Sequence, residues 1–452
     1  MIDRTASPAE KGNISFNIPK IKLTKSKNGI QVFFVQKGKL PIVQLSVVFS
    51  CGSRFDPIDK IGLSYLTSLM IDEGAAEYDT LQLNDEFEKL GTVLNISSNH
   101  DTFSLSILSL KENFIRSLEL LSKIIYEPRF DEKDFNREKK RLIDKILQLK
   151  DEPSYIASNA FDRLIFANSF YEYPEIGYED TVSNISINDI KSFYRDYFLN
   201  SGMQFVLTGS IEETELLELI DKYFINNTST LKHPEFILPV KNETTFYFVD
   251  KKDSAQTEIR IGHLSKTRDA EDYYAAKIMN TILGGQFSSR INLNLRENKG
   301  FTYGAKSYFN YYQHAASFEV STAVNIQNTG EAVSEILKEL NTIRLNIEEK
   351  EINFAKSYMV KQFPSMFETY SQITKNIIPL IIHSLPINYY EGYTDKIDST
   401  TDKEIIYAAK DNILPDQLVV LTVGDKKLIE SQLIMISNGN LIELDLNGRP
   451  LL

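Results

Sequence analysis

The side chains best equipped to act on a peptide carbonyl stand seven residues apart. They are Arg296 and Tyr303, in Leu295-Arg-Glu-Asn-Lys-Gly-Phe-Thr-Tyr-Gly304. A guanidinium and a phenol both donate hydrogen bonds to oxygen, so the pair would stabilise negative charge developing on a carbonyl. Neither activates water on its own. The local pattern puts Arg296 in the last turn of a helix, Gly300 at a left-handed cap and Tyr303 at the start of the next strand, so that both converge beside one turn. A plainer reading stands beside this one: Arg296 pairs with Glu297 or Glu319, and Tyr303 packs as an ordinary strand aromatic.

Other chemistries find less support. The five histidines, His100, His233, His263, His314 and His383, lie at no metal-ligand spacing and are expected at surfaces or turns. Thr208-Gly-Ser-Ile211 does not supply the Gly-x-Ser-x-Gly elbow of a serine hydrolase. The single cysteine, Cys51, permits no internal disulfide and reads as a small core residue. Gly284-Gly285 lacks the Gly-Lys-Ser/Thr ending of a phosphate loop and suits a tight turn between packed helices. Asp72 and Glu73 close a helix and read as solvated charges. Tyr308, Tyr311 and Tyr312 surround a predicted hairpin, where they either line a peptide chamber or pack a sheet face.

Composition bounds the class. The chain has 452 residues, 42% hydrophobic and 25% charged, with a formal charge of -12. Domains average about 150 residues, so two or more are expected. The acidic balance argues against nucleic acid and is compatible either with attracting basic peptides or simply with solubility. No apolar run reaches the roughly 18 residues of a membrane span. The start, Met1 to Gly12, lacks a secretory pattern, so the expectation is a cytoplasmic chain, or a periplasmic one if a signal has been removed.

The elements that must hold these residues come in a repeated order. Strands are predicted over 29–36 and 42–50 as a hairpin or meander, then helices over 61–73 and 81–90, strands over 92–97 and 102–108, and a long helical stretch to 198. A strand at 203–208 and a helix at 212–224 complete the first series. The polar segment Asn226 to Glu235 is the linker. The order then restarts, with strands at 245–249 and 256–262, helices at 270–283 and 288–297, strands at 302–309 and 316–322, and helices at 330–343 and 348–362. Phe130-Asp-Glu-Lys-Asp-Phe135 matches Ile347-Glu-Glu-Lys-Glu-Ile352, and Phe205-Val-Leu-Thr-Gly209 matches Leu418-Val-Val-Leu-Thr422. The offset of about 215 residues exceeds any solenoid period. The expected fold is α+β: two tandem homologous domains, 1–228 and 238–452, each a mostly antiparallel sheet with helices packed on one face.

Cys51-Gly-Ser-Arg-Phe-Asp-Pro57 and Asp72-Glu-Gly-Ala75, on either side of the helix at 61–73, resemble the pitrilysin-like (M16) zinc peptidases of the two-domain branch, as does the Arg296/Tyr303 segment. In that family the helix carries His-x-x-Glu-His, two zinc ligands and a base, and a later helix supplies a Glu as third ligand. By this resemblance the four positions are Tyr65, Ser68, Leu69 and Lys145. An ammonium does not ligate zinc and Leu69 has no lone pair, so the resemblance implies a degenerate site with no zinc in this chain. It also implies a non-catalytic subunit of a heterodimeric zinc endopeptidase. A homologous His-x-x-Glu-His partner would hold the zinc, and Arg296 and Tyr303 would bind the carbonyl of a peptide substrate. The alternative is a structural or peptide-binding scaffold of the same fold. Neither nucleic acid nor membrane is expected as a partner.

Overall fold

The computed structural model describes residues 16–227, 231–232, 234–239 and 242–451. The expected polar arm at Met1 to Gly12, the domain limit at Thr228 and His233 lie outside the described residues. The first half builds a six-stranded sheet from β1 (Lys22–Lys25), β2 (Gln31–Gln36), β3 (Ile42–Phe49), β4 (Val93–Ser98), β5 (Phe103–Leu110) and β6 (Met203–Gly209), in the order β1-β2-β6-β3-β5-β4. The second half uses β7 (Thr245–Asp250), β8 (Gln256–Leu264), β9 (Ala305–Tyr311), β10 (Ala316–Asn325), β11 (Val419–Gly424) and β12 (Leu441–Leu444), in the order β12-β7-β11-β8-β10-β9.

The repeat is visible in the ladders. β2-β6-β3-β5-β4 and β7-β11-β8-β10-β9 have the same order and the same senses: the first pair is parallel and the others are antiparallel. Only the edge strands differ, since β1 runs antiparallel to β2 while β12 runs parallel to β7. The expected hairpin or meander pairing of β2 with β3 does not form, because β6 enters between them. The reason is legible in burial: Val32 to Val35 and Val43 to Phe49 are buried on both faces, as central strands of a mixed sheet are.

Helices of its own half cover one face of each sheet. Val32, Phe34, Leu45, Val47, Phe205 and Leu207 share a core with Leu118, Leu121 and Ile125 of the helix Phe114–Tyr126. Ile259, Ile261, Val320 and Val420 share one with Ile278 and Ile282 of the helix Tyr273–Leu283. The structure adds a cover for each opposite face, taken from the other half. The first half's helix Pro153–Ile165 lays Ile156, Ala160, Phe161 and Ile165 on Tyr247, Val249, Val419 and Leu421. The second half's helix Tyr370–Ile382 returns Ile373, Ile377 and Leu380 to Phe33, Val35 and Val206.

The approach at the first of these crossings is close enough to dictate a glycine. A Cβ on Gly262 would fall 1.9 Å from the Phe318 carbonyl oxygen and 2.8 Å from the tip of the Phe161 ring. A buried polar knot closes the same seam. Asp101 pairs with Arg54 at 3.3 Å and accepts from the Tyr171 hydroxyl at 2.9 Å and the Gln313 N–H at 2.9 Å. Arg54 also donates to the Ser50 carbonyl at 2.8 Å and to the Gln313 side chain. The His314 N–H donates to the Tyr171 hydroxyl at 3.2 Å, and the rings of Tyr171 and Tyr312 lie 4.6 Å apart. Tyr312 therefore packs at the seam.

Phe161→Ala removes a wholly buried ring from a core that both halves share. It is expected to lower unfolding free energy by about 3–5 kcal/mol and to raise amide exchange in β8 and β11. Unchanged exchange in those two strands would show that the exchanged helix does not support the second sheet.

Candidate functional site

The helix Leu63–Met70 turns Leu66 and Met70 into the core, which leaves Tyr65 and Leu69 on the side facing the helix Glu132–Leu149. Its N-terminus is held by Asp56, whose carboxylate accepts from the N–H groups of Gly62 and Ser64, both at 2.9 Å. Tyr65 and Lys145, 80 positions apart, come together: the Lys145 ammonium donates to the Tyr65 hydroxyl at 2.9 Å and stands 5.3 Å over its ring. The Ser68 hydroxyl turns back to the Tyr65 carbonyl at 2.6 Å. The frame expected to face a metal is present, and a cation–phenol pair fills it.

These residues do not fit zinc. Lys145 offers only donors, Leu69 offers nothing, and the Ser68 oxygen is engaged with its own helix. Among the described residues no group of three His, Cys, Asp or Glu side chains is placed to hold a metal ion. Asp72 and Glu73, expected as solvated charges, are partly buried instead. Glu73 pairs with Arg137, and burial pushes the Asp72 carboxyl up to about 6. Cys51 is buried, as expected, and its thiol is pushed up to about 12.

One histidine, His263, is interior and in a strand, contrary to the expectation of surface or turn positions for all five. His100, at a turn as expected but buried, lies 5.4 Å from the rings of both Tyr171 and Tyr312 with its Nδ1 3.0 Å from Glu175. His263 sits in β8 with both ring nitrogens committed to backbone: Nδ1 donates to the Leu264 carbonyl at 2.8 Å, and Nε2 accepts from the Leu414 N–H at 3.1 Å. That tautomer is neutral, and burial holds its pKa down at about 4.

The second half contains an open cavity of about 530 Å³ between the turn at Gly284 to Phe287 and the segment from Tyr303 to Lys306. Arg296 and Tyr303 both line it. Arg296 lies in a π-helical turn, Leu293–Asn298, and Gly300 follows with φ +67°, the expected left-handed stop. Of the expected carboxylate partners, Glu319 pairs with Arg260 at 3.3 Å, while Glu297 stands 3.6 Å from Arg296 Nε, beyond a hydrogen bond. The guanidinium instead covers the ring of Phe287 at 4.5 Å. Phe287 was not singled out by its pattern, because a Phe after Gly-Gly-Gln reads as core, yet it is 64% exposed.

Tyr303 does not begin the strand, which starts at Ala305, and does not pack: 92% of it is exposed. The Thr302 hydroxyl causes this by accepting from the Gly304 N–H at 3.1 Å, which folds the segment into a turn ahead of β9. Tyr308 and Tyr311 are half-buried on β9, where Tyr311 lies 5.7 Å from the centre of Tyr273.

Two α+β halves of one strand order, with no metal-holding group among the described residues and with Arg296 and Tyr303 on one cavity of the second half, are the frame against which the family is identified. The sequence agrees: residues 32–173 match the family described as Insulinase (Peptidase family M16), and residues 184–359 match Peptidase M16 inactive domain. The chain belongs to the peptidase M16 family. It is similar to the "Uncharacterized zinc protease YmxG" of Bacillus subtilis (strain 168), 23% identical over 365 residues that span 79% of this chain and 87% of that one. It is similar also to the "Non-peptidase homolog YmxG" of Helicobacter pylori, 23% identical over 405 residues, 88% of this chain and 92% of the other. The crystal structure of a peptidase M16 inactive domain protein from Pseudomonas fluorescens superposes with a TM-score of 0.82 at 21% identity, covering 90% of this chain and 98% of that one. With neither ligand set nor base, the chain is a non-catalytic member of the family.

Because Tyr65 and Lys145 already touch, restoring the four side chains should restore the metal site. The variant Tyr65→His/Ser68→Glu/Leu69→His/Lys145→Glu is expected to bind one zinc ion per chain by elemental analysis, against none for the parent. A parent chain purified with stoichiometric zinc would overturn the assignment of these positions. Independently, His263 titrates lower folded than the unfolded value of about 6.5. Its contribution to stability is therefore complete above pH 6.5 and is lost as pH falls through 4, at about 1.4 kcal/mol per pH unit. Urea unfolding of His263→Gln should show a shallower loss over that window, and identical slopes would refute the neutral-imidazole assignment.

Proposed function

We propose that this chain is the non-zinc-binding subunit of a heterodimeric M16-type zinc metalloendopeptidase. Its partner is a homologous subunit whose His-x-x-Glu-His residues would hold zinc, a Lewis acid that would supply the hydrolytic chemistry. The part of this chain is to close the chamber and present Arg296 and Tyr303 to the carbonyl of a bound peptide. One observation carries this reading: both side chains line one open cavity, and the one ion pair of the guanidinium there, with Glu297 3.6 Å from Nε, is too long for a hydrogen bond. Stacked on Phe287, the guanidinium is held in place at the cavity.

The donors act by hydrogen bonding as charge develops on oxygen, so their removal should lower turnover more than binding. A scaffold role without catalysis is the second reading. It is favoured by the likeness to a relative named a non-peptidase homologue.

The test is to mix the purified chain with a His-x-x-Glu-His relative encoded in the same genome. Peptidase activity is expected only in the mixture. Arg296→Ala and Tyr303→Phe should each lower kcat by about 10²-fold with assembly intact. Full turnover by an assembled complex carrying both changes would remove the proposed role, and inactivity in every mixture would favour the scaffold.

A further inference from the structure

One buried side chain ties together the two segments that carry the carbonyl donors. Asn292 ends the short helix Arg290–Asn292 and is 4% exposed. Its Nδ2 donates to the Phe287 carbonyl at 2.6 Å, and its Oδ1 accepts from the Ala305 N–H at 3.0 Å. The two contacts fix which way the amide points, since a carbonyl only accepts and a peptide N–H only donates. On one side lies the ring that supports the Arg296 guanidinium. On the other lies the turn that presents Tyr303, two residues before Ala305.

The neighbouring contacts restrict both segments at their Gly284 and Ser307 ends, and Asn292 is the side chain that bridges Phe287 to Ala305. The Gly284 carbonyl accepts from the Ser307 N–H at 3.0 Å, and Asn280 holds Ser307 through its carbonyl at 3.0 Å and its hydroxyl at 2.7 Å. A Cβ on Gly284 would fall 2.5 Å from the Ser307 nitrogen, so the turn lies directly on β9. Thr322 donates to the Gly304 carbonyl at 3.0 Å from beneath. An amide buried at this depth between Ile291 and Leu295, both core residues, costs stability unless both of its ends are bonded. No other side chain of this length offers one donor and one acceptor: aspartate offers two acceptors, and leucine offers neither.

We propose that Asn292 is a positioning residue that sets the distance between Arg296 and Tyr303, and so the width of the carbonyl-binding gap. The inference rests on the heterodimer reading above. Asn292 touches no substrate in this scheme and acts only through the Phe287 and Ala305 backbones.

The experiment compares Asn292→Ala, and Asn292→Asp with the same shape but no donor, in the full chain and in the mixed complex. Folding is checked by circular dichroism for both. Hydrogen exchange at the Ala305 amide should accelerate at least tenfold in Asn292→Ala, while the rest of the β9–β10 ladder stays protected. Turnover should fall about tenfold in kcat with KM within twofold. When Asn292→Ala is added to Arg296→Ala/Tyr303→Phe, no further loss should follow, because the donors it positions are gone. Undiminished kcat in either folded variant, or a loss that adds fully to that of the double variant, would overturn the proposal while leaving the donor roles standing. If Arg296→Ala/Tyr303→Phe is itself silent in an active complex, the heterodimer reading fails, and the positioning role fails with it, whatever the Ala305 amide does.

Discussion

The constraint on which the rest of this structure depends is that neither sheet can cover both of its faces with its own helices. Central strands buried on two sides need two layers of apolar cover. Each half supplies one layer to itself and one to its neighbour, through helices that occupy equivalent places in the repeat, Pro153–Ile165 and Tyr370–Ile382. The halves are thereby interlocked rather than strung on a linker. Phe161 and Ile377 are core residues of sheets whose strands lie far from them in sequence. The polar knot around Asp101 sits where this exchange brings the first half against the β9–β10 hairpin, and Asp101 accepts from both sides.

The positions expected to face a metal are not those that hold the first sheet. In the helix Leu63–Met70 the residues that hold the sheet are Leu66 and Met70, whereas the ligand positions project to the side of the helix Glu132–Leu149. Tyr65 and Lys145 fill that side, with a hydroxyl for the ammonium to donate to. The substitution is locally consistent: no buried charge is orphaned, and the packing beneath is untouched.

How much of this could be read from the chain differs by residue. The repeat and the two-domain class were legible, because matching words fix register, whereas the placing of Tyr65 and Lys145 at one site came only from the resemblance to the M16 family. The neighbour of β2 was not, since adjacency in sequence favours a hairpin and only the two-sided burial of Val32 to Val35 reveals a central strand. Prediction reached residue 362 and one strand word beyond, so the helix Tyr370–Ile382, which contains Pro379, was missed. The repeat offset applied to Pro153–Ile165 would have found it. Tyr303 was misplaced by two residues because the Thr302 hydroxyl diverts the backbone into a turn, a competition that strand propensity does not register.

The two candidate sites differ in what they demand of the fold. The first-half frame now needs nothing but one exposed hydrogen bond between Lys145 and Tyr65. The second-half cavity still buries Asn292 within a core, still requires a glycine at position 284 against the Ser307 backbone, and leaves Phe287 and Tyr303 facing solvent. Each of these is unfavourable by itself: a buried amide must find both partners, and exposed aromatic rings gain nothing from water. A scaffold relieved of all chemistry would have no need of exposed aromatic rings at 287 and 303. A pattern that stability alone would not select lies around Arg296 and is absent around Tyr65, which is the physical reason to look for the remaining work of this chain in its second half.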